Sequence, residues 1–157
     1  MAGERWLDER QHQAWRGFMG MQSRLLSHLA RELQRQSGLS DADYAVLVGL
    51  SESEDGRLRL NELGAELQWQ KSRLSKQITR MQERGLVQRE ECPTDGRGAF
   101  ATLTDQGRAT IEAAAPLHAE QVRRYFADVL TPAQLAALTE ITGTVLSHLA
   151  TAEPPQS

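Results

Sequence analysis

The sequence contains a single cysteine, Cys92, and no long apolar segment. One cysteine excludes an intrachain disulfide framework and any metal site built from several cysteines, which agrees with a reducing compartment. No run approaches the roughly 18 apolar residues that a membrane-spanning helix needs. The first residues, MAGERW, lack the basic start and the apolar core of a signal peptide. We therefore expect a soluble, cytoplasmic protein without a membrane partner.

The chain also lacks the usual signatures of an enzyme or a metalloprotein. No combination of residues resembles a catalytic triad, a phosphate-binding loop or a pair of catalytic carboxylates. His28, His118 and His148 fall in predicted terminal helices, but their spacing matches no metal-ligand motif, so we expect packing or surface roles for them. We predict no catalytic activity, no metal and no cofactor.

Net positive charge is localised in one stretch of a chain that is otherwise acidic in net charge. The 157 residues carry a formal net charge of −3, yet residues 70–89 contain six Lys or Arg and one acid, which leaves 12 basic and 20 acidic residues elsewhere. A net negative charge usually argues against nucleic-acid binding, but the relevant test is whether the basic residues cluster. Here they do, and the cluster indicates a nucleic-acid interface. The alternative is a solvated charged face.

Residues 70–85 have the pattern of an amphipathic helix. Leu74, Ile78 and Met81 are four and three residues apart, which places them on one apolar stripe. The opposite side mixes short hydroxyl side chains, which permit a close approach, with cations long enough to reach phosphates or base edges. The predicted DNA contacts are Lys71, Ser72, Arg73, Ser75, Lys76, Thr79 and Arg80. We expect Arg84 and Arg89 to contact phosphates or structural carboxylates instead of bases.

The flanking sequence predicts a helix-turn-helix followed by a β-hairpin. Asn61 is a favourable N-cap for a short helix, and Trp69 lies in the turn that leads from that helix into the basic one. Gly85 is suited to end the basic helix in a left-handed conformation. Residues 86–91 and 99–103 read as the two strands of the hairpin.

Long helices are predicted on the N-terminal side of this unit. The first covers about residues 7–36 and stops at Gly38. Ser40 is the expected N-cap of a second helix that ends near residue 51. Residues 57–60 then alternate as a short strand does.

Two further helices are predicted after the hairpin. Thr104 caps the first, which extends to about residue 129, and Pro116 is expected to kink or break it. Thr131 and Pro132 mark the start of the last helix as its N-cap and first residue. Its apolar face comprises Leu135, Leu138, Ile141, Val145 and Leu149.

This order of elements, together with five sequence motifs, resembles the MarR family of winged helix-turn-helix transcriptional regulators. The resemblance implies a mainly α fold with a small β-wing (α+β), in which long N- and C-terminal helices dimerise. It assigns residues 1–38 and 105–157 to the dimerisation domain and residues 39–104 to the DNA-binding lobe. The motifs are LGAEL (63–67), SRLSKQITRM (72–81), RGLV (84–87), DGR (95–97) and LTDQG (103–107).

The resemblance also implies a function. It predicts a homodimeric repressor that binds a pseudo-palindromic operator in double-stranded DNA, with Arg97 of the wing in the minor groove and Asp95 orienting the wing. Gly98 stands where a second arginine is common, so Arg97 is expected to make the minor-groove contact alone. An alternative is a winged-helix protein-interaction module in which the basic helix grips an acidic partner.

A small aromatic or anionic effector is the expected ligand, because regulators of this family commonly bind such compounds between the dimer helices and the DNA-binding lobe. The residues that we predict to line this cleft are Trp15, Phe18, Met19, Tyr44 and Trp69. The alternative for each of them is a place in the hydrophobic core.

Cys92 raises the further possibility of a redox switch at the wing. Its acidic neighbours Glu90, Glu91 and Asp95 would raise the pKa of a thiol, so we expect an ordinary strand cysteine.

Overall fold

The computed structural model describes residues 6–91 and 98–152. The chain divides into two compact units, Met1–Ala119 and Glu120–Ser157. The predicted fold class, mainly α with a small β-wing, is confirmed. The elements in chain order are α1 (Glu9–Ser37), α2 (Asp41–Glu52), β1 (Arg57–Arg59), α3 (Leu60–Leu67), α4 (Lys71–Glu83), β2 (Val87–Glu91), β3 (Ala99–Leu103), α5 (Asp105–Val122), a π-helical turn (Arg123–Ala127) and α6 (Pro132–Ala152).

Local capping determines where the first two helices begin and end. The Asp8 carboxylate accepts from the Gln11 N–H at 2.9 Å, and the Asp8 N–H donates to the Gln11 side chain at 3.0 Å. Gly38 ends α1 with a φ of 69°, a left-handed value that glycine adopts without strain. Ser40 caps α2 by accepting from the Asp43 N–H at 3.1 Å. The predicted stop at Gly38 and the predicted cap at Ser40 are both confirmed.

Helix α3 begins earlier than the sequence predicts. Asn61 is not its N-cap, because β1 continues directly into the helix at Leu60. Arg59 occupies the cap position, and its N–H donates to the Glu62 carboxylate at 3.1 Å. The Asn61 side chain instead accepts from the adjacent Glu62 N–H at 3.0 Å. The strand and the helix therefore share a boundary without an intervening loop.

The three strands form an antiparallel sheet in the order β1-β3-β2. In the register of the sheet, Val87 lies opposite Leu103, and Arg57 lies opposite Thr102. Alternate residues of β3 are buried, so one face of the sheet covers the core. That core also receives the predicted stripe of α4, because Leu74, Ile78 and Met81 are all buried.

Helix α5 continues through Pro116 as far as Val122, so the proline does not break it. Glu112, four residues earlier, is exposed, and the carbonyl that Pro116 leaves without a donor can bond to water instead. The predicted start of α6 is confirmed, since the Gln134 N–H donates to Thr131 Oγ1 at 3.2 Å and the Thr131 N–H donates to the Gln134 side chain at 2.8 Å.

The described helices are too short or too polar, taken singly, for a membrane span. Among the described residues, no single helix is long and apolar enough to cross a membrane. One pair of consecutive helices meets the criteria of length and apolarity only in combination. The pair is Asp105–Ala127 and Pro132–Ala152, and the two helices are bent by 100° at the break between them.

Candidate nucleic-acid interface

Helix α4 presents a polar, basic side to solvent. Its buried residues occupy one side, and the seven predicted DNA contacts of this helix lie outside that stripe. Six of them are exposed and one, Ser75, is half-buried. The exposed six are Lys71, Ser72, Arg73, Lys76, Thr79 and Arg80.

A tight turn connects α3 to α4. Gln68 adopts a left-handed φ of 54°, and the Trp69 N–H donates to the Gly64 carbonyl at 2.9 Å. A Cβ at Gly64 would lie 3.4 Å from the Trp69 carbonyl and 3.5 Å from Leu74, so the backbone of α3 is in van der Waals contact range of the turn and of α4. This close packing sets the position of α4 against α3, as a helix-turn-helix requires.

The basic side chains between Lys71 and Arg89 differ in whether they have a hydrogen-bond or ion-pair partner within the protein. Arg80 donates to the Gln77 side chain at 2.8 Å, and Arg89 donates to Glu91 at 3.0 Å. Lys71 and Lys76, by contrast, have no hydrogen-bond or ion-pair partner among residues 6–91 and 98–152. The two lysines are therefore free to meet phosphate groups.

Arg73 has an aromatic partner. Its guanidinium carbon lies 4.1 Å from the centre of the Trp69 ring, within the range of a cation–π interaction. The Trp69 side chain is half-buried and packs against the core. A side chain of the helix-turn-helix turn therefore supports the guanidinium of the exposed helix.

A buried carboxylate holds α4 against the preceding helices. Asp43 accepts from Gln77 Nε2 at 2.7 Å, from Arg84 Nη1 at 2.7 Å and from the Ser40 N–H at 2.9 Å. Arg84 Nη2 also donates to the Gly38 carbonyl at 3.2 Å. Asp43 thereby joins the first turn of α2 to the second half of α4 and to Arg84, and Arg84 in turn connects them to the end of α1.

Two opposing effects act on the pKa of Asp43. Burial raises it, whereas the hydrogen bonds donated by Arg84 and Ser40 and the positive charge of Arg84 lower it. The net result is a pKa below the ordinary value, so the carboxylate is ionised at neutral pH. The prediction that Arg84 contacts a structural carboxylate is confirmed, whereas Arg89 pairs with the exposed carboxylate of Glu91 and its phosphate contact stays a prediction.

The sequence analysis missed Asp43 and Gln77 as parts of this interface. The available signal was the position of Gln77, which lies three residues after Leu74 and four before Met81, inside the apolar side of the helix. A polar group in that position requires a buried partner. The sequence does not indicate which residue that partner is, because Asp43 is 34 residues away in the chain and only the tertiary fold brings the two together.

Two of the predicted contact residues also bond within the protein. Ser75 Oγ accepts from Arg89 Nη1 at 3.1 Å, and Thr79 Oγ1 donates to the Ser75 carbonyl at 3.0 Å. Both hydroxyls remain on the side of α4 away from its buried stripe. Their role in DNA contact stays a prediction.

The hairpin is connected closely to α5. Thr104 Oγ1 donates to the Gly85 carbonyl at 2.6 Å and accepts from the Gly107 N–H at 3.0 Å, which confirms Thr104 as the cap of α5. A Cβ at Gly107 would overlap the Leu86 carbonyl. The start of α5 thus packs directly on the backbone that joins α4 to β2.

The predicted wing residues Asp95 and Arg97, and also Cys92, lie outside the described residues. Gly98 is described and precedes β3. The minor-groove contact of Arg97, the orienting role of Asp95 and the chemistry of Cys92 therefore stay predictions.

The five residues predicted to line an effector cleft occupy three separate surroundings. Trp15 and Phe18 contact each other, with ring centres 6.0 Å apart, and are exposed on α1 together with Met19. Tyr44 contacts His118 with ring centres 4.6 Å apart, and burial raises the pKa of its phenol.

The fifth of these residues, Trp69, packs against the core and contacts the Arg73 guanidinium. Tyr44 also packs against the core, which is the alternative considered for these residues. The combined cleft stays a prediction.

No three His, Cys, Asp or Glu side chains within the described ranges are grouped so as to hold a metal ion. His118 instead contacts Tyr44.

Comparison with known proteins identifies the family. The model of the MarR family matches residues 37–98. AbsC, a MarR family transcriptional regulator from Streptomyces coelicolor, is 42% identical, and the similarity covers 94% of this chain and 99% of AbsC with a TM-score of 0.88. The chain belongs to the MarR family.

Two other MarR-type proteins extend the comparison. Sco3205, a MarR family regulator from Streptomyces coelicolor solved in complex with DNA, is 39% identical, and the match covers 98% of this chain and 94% of Sco3205 with a TM-score of 0.89. The transcriptional repressor MprA from Escherichia coli (strain K12) is 24% identical over 131 residues, which are 83% of this chain and 73% of MprA.

Membership of the MarR family confirms the resemblance found in the five motifs. This MarR protein is a transcriptional regulator and not an enzyme, as the sequence predicted. Helix α4 of its helix-turn-helix carries a cluster of exposed basic residues.

Proposed function

We propose that this MarR protein is a ligand-responsive repressor that binds a pseudo-palindromic operator as a homodimer, with one copy of α4 in the major groove of each half-site. The observation that carries the proposal is the exposed basic side of α4 on a chain whose other residues carry a net negative charge. Such a helix places cations at phosphates and base edges. The DNA complex of Sco3205 and the repressor function of MprA support the same assignment.

Exposed apolar side chains support the homodimer. Contiguous apolar surface of this kind commonly marks a protein interface. On α1, Trp15, Phe18, Met19, Met21 and Leu26 are 44% to 55% exposed. On α6, Ile141, Val145, Leu146 and Leu149 are 47% to 64% exposed.

In this proposal residues 1–38 and 105–157 form the dimerisation domain, and residues 39–104 form the DNA-binding lobe. Two-fold symmetry then repeats the half-sites at a spacing of about 10 base pairs, on one face of the duplex. The wing residue Arg97 enters the minor groove beside α4, and Asp95 orients the wing. The protein acts in the cytoplasm.

A small aromatic or anionic effector completes the proposal. It binds between the dimerisation helices and the DNA-binding lobe, where a change in the spacing of the two α4 helices alters operator affinity. Trp15, Phe18, Met19, Tyr44 and Trp69 are the candidates for contact with it. In the dimer, the exposed Trp15 and Phe18 are available to a ligand as well as to the partner subunit.

Three measurements test the proposal. Light scattering should give the mass of a dimer, and selection from a random-sequence duplex pool should yield a two-fold symmetric site. Affinity for that site should fall by about 10³-fold or more between low and moderate salt, because several phosphate contacts release counterions. A monomer that selects no duplex, or a salt-independent affinity, would contradict DNA recognition and favour the module that grips an acidic partner.

A further inference from the structure

We infer that Trp69 is a specificity-determining residue, which positions Arg73 to recognise a guanine in each operator half-site. The inference rests on the proposed function, because it assumes that α4 enters the major groove. It concerns what the helix recognises there, and it gives Trp69 a role in DNA recognition.

The first argument is the rigidity of the platform under Arg73. The backbone of Trp69 is held by its bond to the Gly64 carbonyl at 2.9 Å, and its ring packs against the core. The Arg73 guanidinium lies 4.1 Å above the centre of that ring. An arginine held in this way loses less rotamer freedom on binding than one that is free in solvent.

The second argument is the availability of the Arg73 donors. Arg80 donates to Gln77, Arg84 to Asp43 and Arg89 to Glu91. Among the four arginines of residues 71–91, Arg73 is the one whose guanidinium has no oxygen acceptor in the described part of the chain. The contact with the Trp69 ring uses none of the oxygen acceptors that the Arg73 N–H groups need, so these donors are available to a base.

The third argument is position. Arg73 is in the first turn of α4, and the N-terminal residues of a recognition helix are the ones that contact base edges. The planar fork of an arginine matches the O6 and N7 acceptors of guanine in the major groove. Lys71 and Lys76 are point charges on flexible stems, which suit phosphates better.

The test uses the full chain and a duplex that the wild-type protein selects from a random pool, with a scrambled duplex as the non-specific control. Arg73→Ala should weaken binding to the selected duplex by about 10- to 100-fold and abolish the preference for one guanine per half-site. Trp69→Leu should weaken it by about 5- to 10-fold, with no change on the scrambled duplex, because no charge is lost.

Double-mutant cycles separate positioning from general damage. Trp69→Leu should cause no further loss in the Arg73→Ala background, whereas it should add fully to Lys76→Ala on the same helix. Trp69→Phe retains a ring under the guanidinium and should bind like the wild type. Arg73→Lys keeps the charge but not the fork, so it should lose the guanine preference at an unchanged salt dependence.

Arg73→Lys alters an exposed side chain, so it tests the inference even if Trp69→Leu does not fold. The inference is wrong if Arg73→Lys keeps the guanine preference, or if Trp69→Leu weakens selected and scrambled duplexes equally. It is also wrong if Trp69→Leu and Arg73→Ala are additive. If the wild-type protein selects no duplex, the proposed function and the inference both fail; if it selects one and the variants behave in any of the ways just named, only the inference fails.

Discussion

Arg84 at the end of α4 donates to the carboxylate of Asp43 in the first turn of α2, with 2.7 Å between Nη1 and Oδ2. The Asp43 side chain is 5% exposed and that of Arg84 is 45% exposed, so the carboxylate is the buried member of the pair. Its other oxygen accepts from Gln77. One buried charge therefore holds α4 at two points about two turns apart, and the orientation of the DNA-binding helix depends on it.

Replacement of Asp43 should destabilise the protein. We expect Asp43→Ala to lower the free energy of unfolding by about 2 to 3 kcal/mol, because Gln77 keeps a buried donor without an acceptor while Arg84 can still turn to solvent. Denaturant unfolding measures this. The control is Asp41→Ala in the same turn of α2, which is exposed and should stay within about 0.5 kcal/mol of the wild type. Equal losses for both variants would contradict the central role of Asp43.

The same carboxylate should make stability depend on acid pH. The pKa of Asp43 is lower in the folded protein than its ordinary value, so between these two values the unfolded chain binds more protons. The stabilisation is present above the ordinary pKa of about 4 and is lost as the pH falls through the folded value.

Unfolding measurements from about pH 6 to about pH 3 should therefore show a steeper loss of stability for the wild type than for Asp43→Asn. The pKa of Glu32 is also lowered, through its hydrogen bond from Arg35, and it contributes equally to both proteins. Parallel curves for the two proteins would contradict the assignment to Asp43.

Lys71 and Lys76 should contribute to DNA affinity through phosphates. Lys71→Ala and Lys76→Ala should each weaken binding to all duplexes to a similar extent and reduce the slope of log affinity against log salt by about one. Fluorescence anisotropy at several salt concentrations measures both quantities. Arg35→Ala is a matched loss of charge on α1, where Arg35 pairs with Glu32, and it should leave the slope unchanged. A sequence-dependent loss for either lysine would indicate base contact instead.

Arg97→Ala should weaken operator binding by about 10-fold without dissociating the dimer, because the predicted role of Arg97 is confined to the minor groove. Anisotropy gives the affinity and light scattering gives the mass. Arg108→Ala removes a charge from exposed α5 surface and serves as the control. A monomeric Arg97→Ala protein, or one with wild-type affinity, would show that the wing arginine has another role.

Val145→Glu on α6 should dissociate the proposed dimer. Val145 is one of the exposed apolar residues of that helix, and a carboxylate buried in a symmetric interface would meet its own copy or lose hydration. Sedimentation or light scattering should show a monomer at concentrations where the wild type is a dimer. Ser147→Glu places the same charge about 200° around the helix and should leave the mass unchanged. If both variants remain dimeric, the α6 face is not part of the interface.

Features that depend on neighbouring residues were predicted correctly from the sequence. The apolar stripe of α4, the glycine stop at Gly38 and the caps at Ser40 and Thr131 all follow from residues within one or two turns of one another. The order of elements and the five motifs were sufficient to recognise the MarR family. Local patterns also have limits: Asn61 resembles an N-cap, yet the pairing of β1 with β3 places the strand immediately before α3.

The sequence by itself thus determined which helix carries the basic side chains and which of its apolar residues are buried. Only the tertiary structure decided the partner of Arg84, because Asp43 lies 41 residues away in the chain. Arg84 is held by that buried carboxylate, whereas Arg73 rests on the Trp69 ring and keeps its donors free. Periodicity assigns a side chain to a face of a helix, but the groups it meets depend on how the chain folds back on itself.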